Sequence, residues 1–164
     1  MMLSHDMLLD RVQVYELFRK YFEALDSREW DGLDEICTPD VVSYWPSGPD
    51  SAELITLHGP GELVDWLRPW FDKIFLTTHH MFSNLKVTVA DEAGRASCQV
   101  KAYHSLGDTS SYVETLATFE ADLRRVEGEW RFSSFRESIV FALGDVEELA
   151  RLITEHGLAP ESAG

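Results

Sequence analysis

Two consecutive histidines, His79 and His80, stand in a stretch that could carry out proton transfer. Histidine titrates near neutral pH, so an imidazole held in a pocket can take a proton and return it. Side chains alternate along a strand, so the two histidines must point to opposite faces. Strict alternation predicts His80 on the face of Phe82, and His79 on the face of Val87 and Val89. Because a lone histidine is commonly a core or surface residue, the rest of the chain must supply the partners.

The first half of the chain predicts helices that could position such a histidine. Large apolar residues recur three or four apart, which predicts an amphipathic helix from near Met7, capped by Ser4 or Asp6, to about Asp26. Four shorter elements follow: a helix at 29–36, strands at 41–45 and 54–57 around a loop at 46–51, and a helix at 62–75 with a kink or restart at Pro69.

The second half predicts a meander of strands. The predicted strands lie at 81–90, 95–106, 111–126 and 129–141, and a helix follows at 146–156. Alternation places His104 on an apolar face of its strand. It also places Trp130, Phe132 and Arg136 together on one face of the last strand. Helices first and antiparallel strands afterwards indicate an α+β fold, with a cone-shaped, curved sheet wrapped around the N-terminal helices. The mouth of such a cone suits a small molecule.

Length and charge narrow the class of protein. A chain of 164 residues predicts a single domain, with a core at about 8–142 and a frayed tail at 157–164. Its net charge of −15 argues against nucleic acid and anionic membranes as partners. Cys37 and Cys98 are too few for a disulfide framework. No signal peptide or membrane-spanning stretch is evident, so we expect a cytoplasmic protein.

Five short motifs, in this order and spacing, resemble the SnoaL-like polyketide-cyclase branch of the nuclear-transport-factor-2-like superfamily. They are Tyr21–Asp26 (YFEALD), Cys37–Val41 (CTPDV), Gly59–Leu63 (GPGEL), Thr78–Asn84 (THHMFSN) and Gly128–Phe132 (GEWRF). The resemblance covers residues 8–142 and implies the same cone fold. Members such as scytalone dehydratase, bile-acid 7α-dehydratase and hexachlorocyclohexane dehydrochlorinase are cofactor-free lyases that use an Asp–His pair.

The resemblance implies four catalytic residues. Asp26 is the aspartate that closes the first helix, and His80, four residues before Asn84, is its partner. Tyr21 matches a tyrosine of the bile-acid dehydratase type, and His104 lies on a strand where scytalone dehydratase has histidines. Structural alternatives are that Asp26 caps the next helix and that Tyr21 and His104 are core residues. We expect Asp26 and His80 to hydrogen-bond across the pocket mouth, with His80 taking the substrate proton; the reverse assignment, with Asp26 as the base, is left open.

A substrate-binding set completes the expectation. Arg136 lies where some relatives place a cationic pocket residue, and its alternative is a salt-bridge role. The wall is expected to be apolar and aromatic, with Tyr44 as a polar contact, drawing on Trp45, Trp66, Trp70, Phe82 and Trp130. Neither metal nor organic cofactor is expected, because the sequence has no ligand cluster and no Gly-rich phosphate loop.

Four functions are compatible with these residues. The first is a cofactor-independent lyase, a dehydratase acting on a small hydrophobic cyclic or aromatic substrate. The second is an isomerase or cyclase of an enolisable ketone with the same residues. The third is a non-catalytic small subunit of a ring-hydroxylating dioxygenase, and the fourth is a stand-alone binding protein. We also expect the protein to self-associate as a homotrimer or homodimer.

Overall fold

The computed structural model describes residues 4–47, 53–107 and 110–158. Most of the loop predicted at 46–51 and of the tail predicted at 157–164 lies outside these residues. In chain order the elements are α1 (His5–Ser27), α2 (Gly32–Ile36), β1 (Cys37–Pro46), β2 (Leu54–His58), α3 (Gly59–Lys73), β3 (Phe75–Ala90), β4 (Ala93–Leu106), β5 (Ser111–Val126), β6 (Glu129–Gly144) and α4 (Val146–Glu155). Among the helices of these ranges, none is long and apolar enough to cross a membrane.

The strands form one curved, mixed sheet that does not close on itself. Their order is β2-β1-β6-β5-β4-β3, so β2 and β3 are the two edges. Neighbouring strands are antiparallel except β1 and β6, which run parallel. Helix α1 packs on the concave face, where the ring of Phe18 meets Phe119 and Phe132 edge-on at 5.5 and 5.2 Å. The predicted α+β cone is confirmed.

Helix boundaries follow local capping. The Ser4 hydroxyl accepts a hydrogen bond from the Met7 backbone N–H at 3.2 Å, which starts α1 at His5. Helix α3 starts at Gly59, earlier than predicted, because the Glu62 carboxylate accepts from the His58 N–H at 2.7 Å. Of the two outcomes expected at Pro69, a restart is wrong, since α3 continues through it, and a kink stays a prediction.

Strands β1 and β3 begin earlier than the sequence predicted. Strand β1 starts at Cys37 and includes Pro39, because its pairing with β6 is irregular between Cys37 and Val42 and a missing N–H is tolerated there. Strand β3 starts at Phe75, since its first residues pair with the end of β4. His80 therefore lies inside a paired strand, which fixes its backbone.

A bulge in β3 changes which side chains share a face. Between Ser83 and Lys86 the strand advances three residues while β4 advances two, and Asn84 adopts a φ of 54°. As a result Phe82, Val87 and Val89 all pack against the core. The prediction that Val87 and Val89 lie on the face opposite Phe82 was wrong, because strict alternation does not survive a bulge.

A second bulge, in β6, has the larger effect on the site. Between Phe132 and Ser134 this strand advances two residues while β5 advances one. Phe132 and Phe135 are therefore both buried on the concave side, and Arg136 is exposed. The predicted shared face of Phe132 and Arg136 was wrong for this reason.

Candidate active site

Asp26 lies in the last turn of α1 and accepts three hydrogen bonds from β3. Its Oδ1 accepts from the Thr78 hydroxyl at 2.8 Å and lies 2.6 Å from His80 Nδ1. Its Oδ2 accepts from the His80 backbone N–H at 2.9 Å. The structure thus brings together two residues that are far apart in sequence, and it adds Thr78, which the sequence analysis missed.

The charge of Asp26 is set by these donors. Burial by itself would raise the pKa of Asp26, but the hydrogen bonds from His80 and Thr78 outweigh burial and hold that pKa at about 2. Such a carboxylate is charged at neutral pH and is a weak base. It is suited to orienting an imidazole and to stabilising the imidazolium that forms when the ring takes a proton.

The His80 ring is held between aromatic side chains. It stacks on Phe22 with ring centroids 5.7 Å apart and on Phe71 with centroids 6.4 Å apart. The His80 side chain is 6% exposed, whereas that of Asp26 is 24% exposed. Since Asp26 occupies Nδ1, the other ring nitrogen, Nε2, is the one left for a substrate.

Arg28 ties the elements of this site together. It follows α1 in a left-handed conformation, with φ 61°. Its guanidinium donates at 3.0–3.2 Å to the backbone oxygens of Asp26, Phe71, Phe75 and Leu76. These bonds join the end of α1 to the turn between α3 and β3. They fix the position of Asp26 relative to the wall that carries Phe71.

His104 lies beside His80. The two rings are edge-on with centroids 5.4 Å apart, and His104 also meets Phe75 at 4.4 Å. Burial, followed by the nearby His80, lowers the pKa of His104 to about 3, although a backbone hydrogen bond at Val113 and the charge of Asp26 act in the opposite direction. His104 is therefore neutral at physiological pH.

The Asp26–His80 pair is accessible from a groove between α1 and β3. This cavity has a volume of about 530 Å³ and contains both residues together with Phe82. Its remaining lining comes from α1, namely Arg19, Phe22, Glu23 and Ser27. Arg19 is already paired with Glu16 and Glu23, at 2.8 and 2.5 Å.

The predicted aromatic wall divides between two ends of the cone. Trp45 and Trp66 lie 4.7 Å apart, and Trp66 contacts Trp70 at 5.9 Å. Trp70 stacks on Phe75, so these tryptophans form a chain that leads to His104. Trp130 is not part of this wall, because it lies at the other end of the cone, where its indole bonds to Asp10.

Tyr21 lies near the pair but inside the core. Its side chain is 0% exposed and its ring contacts Phe22, Phe119, Phe132 and Phe135. Burial raises the pKa of Tyr21 well above its ordinary value, with a smaller contribution from the Glu137 carboxylate. Within the described part of the chain its hydroxyl has no hydrogen-bond partner. The structure thus gives Tyr21 no contact with the groove.

Arg136 and Tyr44 lie elsewhere. Both line a second cavity of about 590 Å³ on the other face of the sheet, with Lys86, Arg95 and Glu120 among its other residues. The structure does not bring them together with Asp26 and His80. Arg136 lies away from Asp26 and His80 because the bulge in β6 turns this residue away from the concave side.

The same bulge brings Glu137 to the concave side, a placement that the sequence analysis missed. Glu137 pairs with Phe119 of β5, which is fully buried. One sequence signal was available: Phe132 and Phe135 are three residues apart, a spacing that a strand can bury on one face only through a bulge.

The described residues offer no group of three or more His, Cys, Asp and Glu side chains that could hold a metal ion. Cys37 and Cys98 are unpaired and buried. Burial, with a smaller contribution from nearby carboxylates, raises the pKa of each thiol to about 12. Both cysteines are therefore neutral core residues and weak nucleophiles.

A curved sheet around α1 with an Asp–His pair at its mouth defines a class of small α+β proteins, and sequence comparison identifies the family. The family model of the SnoaL-like domain matches residues 6–136, so the chain belongs to that family, within the nuclear-transport-factor-2-like superfamily. An uncharacterized protein of Mycobacterium tuberculosis is 25% identical over 136 residues, which are 79% of this chain and 85% of that protein.

Solved structures share the fold. A hexachlorocyclohexane dehydrochlorinase from Novosphingobium barchaimii LL02 superposes with a TM-score of 0.73 at 18% identity, covering 85% of this chain and 92% of that one. A Novosphingobium aromaticivorans protein provisionally named a scytalone dehydratase gives a TM-score of 0.72 at 15% identity, covering 83% and 87%. At these sequence identities, the similarity shows a shared fold and no more.

Proposed function

We propose that this protein is a cofactor-independent lyase that removes water from a small, hydrophobic cyclic or aromatic substrate. The observation that carries the proposal is the contact of 2.6 Å between Asp26 and His80 Nδ1, reinforced by the backbone bond between the same residues. An imidazole that a carboxylate orients through Nδ1 can act through Nε2 as a general base that removes a proton from carbon. The names of the dehydrochlorinase and dehydratase among the structural neighbours agree with elimination chemistry.

In this reaction His80 takes the substrate proton, and Asp26 orients the His80 ring. Asp26 already accepts three hydrogen bonds and its pKa is about 2, so it is a weak base that is suited to orienting the ring. His80 Nε2 removes a proton from a carbon next to an activating group, and the electron pair of the C–H bond forms the new carbon–carbon double bond. The hydroxyl on the neighbouring carbon leaves and takes the proton from His80, which returns to its neutral form. Water is the second product.

The surroundings of the pair favour an apolar substrate. Phe22, Phe71 and Phe82 lie around His80, and His104 adds a neutral, buried ring. An apolar wall strengthens electrostatic interactions inside the site and excludes competing water. His104 and Tyr21 stay neutral here, so neither adds a charge beside His80.

A substrate screen tests the function. Hydroxylated cyclic ketones, phenolic diols and steroid-like alcohols would be incubated with the protein, and loss of water would be followed by mass spectrometry. Turnover that disappears in Asp26→Asn and in His80→Ala supports the lyase. Deuterium uptake from D₂O without loss of water would instead identify an isomerase. A panel with neither reaction, together with co-purification of a larger iron–sulfur subunit, would favour a binding subunit.

We also propose that the chain self-associates as a dimer or trimer. Large apolar side chains are exposed on several elements: among them, Val12 on α1 is 60% exposed, and Val140 near the end of β6 is 63% exposed. Patches of this kind commonly mark protein–protein contacts. Sedimentation velocity at micromolar concentration is the measurement, and a stable monomer would contradict the proposal.

A further inference from the structure

Thr78 is a buried polar residue of β3 whose hydroxyl meets the Asp26 carboxylate. Its backbone is placed by strand pairing, since Thr78 and His80 stand opposite His104 and Ala102 of β4. Residues directly opposite on adjacent strands share a face, and His104, Ala102 and Thr78 are all buried. Thr78 and His80, two residues apart on one strand, therefore both point to the inner face, where α1 ends.

An irregularity at the start of β3 decides which of two adjacent threonines reaches the inner face. Between Phe75 and Thr77 the strand advances two residues while β4 advances one. The Ser105 hydroxyl accepts a hydrogen bond from the Thr77 backbone N–H at 3.0 Å, which satisfies a backbone group at this point. Thr77 is exposed and Thr78 is buried. The two threonines thus differ in facing while they are neighbours in sequence.

The two oxygens of the Asp26 carboxylate are held by different donors. Oδ2 accepts from the His80 backbone N–H at 2.9 Å, and Oδ1 accepts from the Thr78 hydroxyl at 2.8 Å. A carboxylate that is bonded at both oxygens is held in one orientation. In that orientation Oδ1 lies 2.6 Å from His80 Nδ1. The carboxylate is therefore aimed at the imidazole by groups other than the imidazole itself.

Loss of the Thr78 hydroxyl would remove the bond that fixes Oδ1 independently of the ring. Among the described residues, both remaining donors to this carboxylate then belong to His80, one at each oxygen. The Asp26 side chain is 24% exposed, so water can compete for Oδ1. Threonine suits the task because its β-branched side chain is restricted at χ1, which limits the directions in which its hydroxyl can point.

The aim of the carboxylate matters because it decides which ring nitrogen carries the proton. In a neutral imidazole one nitrogen is a donor and the other is an acceptor. A carboxylate at Nδ1 favours the form that is protonated there, which leaves the lone pair on Nε2. A His80 ring in the opposite form carries its proton on Nε2 and cannot take a second proton at that atom from a substrate.

We propose that Thr78 is a positioning residue whose hydroxyl holds Asp26 Oδ1 against His80 Nδ1, and so keeps the proton of the neutral His80 ring on Nδ1. Thr78 acts through Asp26 and His80 and not on the substrate. The catalytic consequence rests on the proposed function, since a ring with a free Nε2 is the form that removes the proton from carbon. The position of the proton itself is a property of the protein without substrate.

The test locates the proton of His80 in the absence of substrate. Nitrogen-15 chemical shifts separate protonated from unprotonated ring nitrogens, and they would be recorded above the pH at which His80 titrates. The signals of His80 are those that are missing in His80→Gln. We expect the wild-type ring to be protonated on Nδ1. Thr78→Val removes the hydroxyl and keeps the branched shape, and it should lower the ratio of the Nδ1–H form to the Nε2–H form about tenfold, as loss of a hydrogen bond to a charged group allows.

Three further variants show whether the hydroxyl is the cause. Thr78→Ser keeps the hydroxyl and should stay within about threefold of the wild-type ratio. Thr78→Ala removes the hydroxyl with a smaller side chain and should behave like Thr78→Val, so the result does not depend on how valine fits. Thr77→Val makes the same change at the neighbouring, exposed threonine and should leave the ratio unchanged. A purely structural Thr78 would alter the free energy of unfolding in Thr78→Val and leave the ratio as it is.

A wild-type ring protonated mainly on Nε2 overturns the inference, as does an unchanged ratio in Thr78→Val or a loss that Thr78→Ser does not restore. Failure of both Thr78→Val and Thr78→Ala to fold also overturns it, because the fold itself would then require the hydroxyl. The ratio is measured without turnover, so the lyase proposal can fail while the role of Thr78 stands. Once a substrate is known, kcat should fall with the share of the Nδ1–H form while KM changes little.

Discussion

Asp10 and Asp26 are partly buried aspartates on the same helix, and their partners differ in kind. Near the start of α1, Asp10 accepts from Arg125 at 2.6 Å and from the indole N–H of Trp130 at 3.0 Å. The guanidinium of Arg125 lies over the Trp130 ring at 4.3 Å. In the last turn of α1, Asp26 accepts from His80 and Thr78.

The difference lies in whether the partner can change its charge. Arginine stays protonated at any physiological pH, so the Asp10 cluster is a fixed ion pair that holds α1 against β5 and β6. Histidine gains and loses its proton near neutrality, so the same kind of carboxylate at the other end supports proton transfer. The role of a buried aspartate therefore depends on its hydrogen-bond donor: a permanently charged donor gives a structural ion pair, and a donor that can change its charge supports proton transfer.

The largest expected effect is a difference in kcat between a variant of Asp26 and the matching variant of Asp10. Once a substrate is found, Asp26→Asn should lower kcat about a hundredfold or more, because the oriented base is lost. Asp10→Asn is the matched control on the same helix and should leave kcat within about threefold. Steady-state kinetics with circular dichroism as a check of folding is the measurement. Equal losses in both variants would remove the distinction.

The double variant sharpens the same comparison. His80→Ala should lose about as much kcat as Asp26→Asn, and the combined variant should lose little beyond the worse single one, because residues that act as a unit are not additive. Full additivity would mean that Asp26 and His80 act independently.

The pH dependence of stability is the next expected effect. The pKa of His104 is about 3 in the folded protein and 6.5 in a free histidine. Below pH 6.5 the unfolded chain binds a proton at this position and the folded chain does not, so stability falls as pH falls from about 6.5 towards 3. Urea unfolding at pH 7 and pH 5 should show a loss of about 2 kcal/mol from this residue. His104→Gln should lose correspondingly less, and an unchanged pH dependence in that variant would contradict the assignment.

Stability should also reveal the role of Asp10. Asp10→Asn leaves the Arg125 charge partly buried beside Trp130 without its ion-pair partner, so the free energy of unfolding should fall by about 1 to 2 kcal/mol. Urea unfolding near pH 7 measures this. A stability equal to that of the wild-type protein would mean that the cluster is not the fixed anchor inferred above.

The smallest expected effect concerns Arg28. Arg28→Gln removes most of the bonds between the end of α1 and the α3–β3 turn, so Asp26 loses part of its alignment. We expect kcat to fall about tenfold with KM little changed, because geometry and not binding is affected. Arg151→Gln, which breaks only surface ion pairs on α4, is the control. A change confined to KM would place Arg28 in substrate binding instead.

The sequence predicted the architecture better than the facing of individual side chains. The helix with Phe18 and Phe22 at helical spacing, and the face of β4 that carries His104, follow from periodicity alone. Each of these predictions rests on an uninterrupted periodicity, of 3.6 residues in the helix and of 2 residues in the strand. The identity of Asp26 and His80 as site candidates came from family motifs, and their contact required the three-dimensional structure.

Bulges explain the part that could not be predicted. One inserted residue in β6 exchanges Arg136 for Glu137 on the inner face, and with it a cation for an acid. Such an insertion is visible in the register between β6 and the neighbouring strand. The amino-acid sequence by itself shows at most the spacing of Phe132 and Phe135. Arg28 escaped prediction for another reason: its partners are backbone oxygens, which no side-chain pattern records.

The parallel pairing of β1 with β6 has a consequence for how the chain folds. Strands β3 to β6 are joined by short connections and can pair with their neighbours in sequence order. The contact of Ser43 with Phe135 instead closes a loop of roughly ninety residues, and loop closure of that length carries an entropy cost that short hairpins do not. We therefore expect the meander to form before β1 docks, so that the rate of folding is governed by this one long-range pairing and not by assembly of the strand that carries His80.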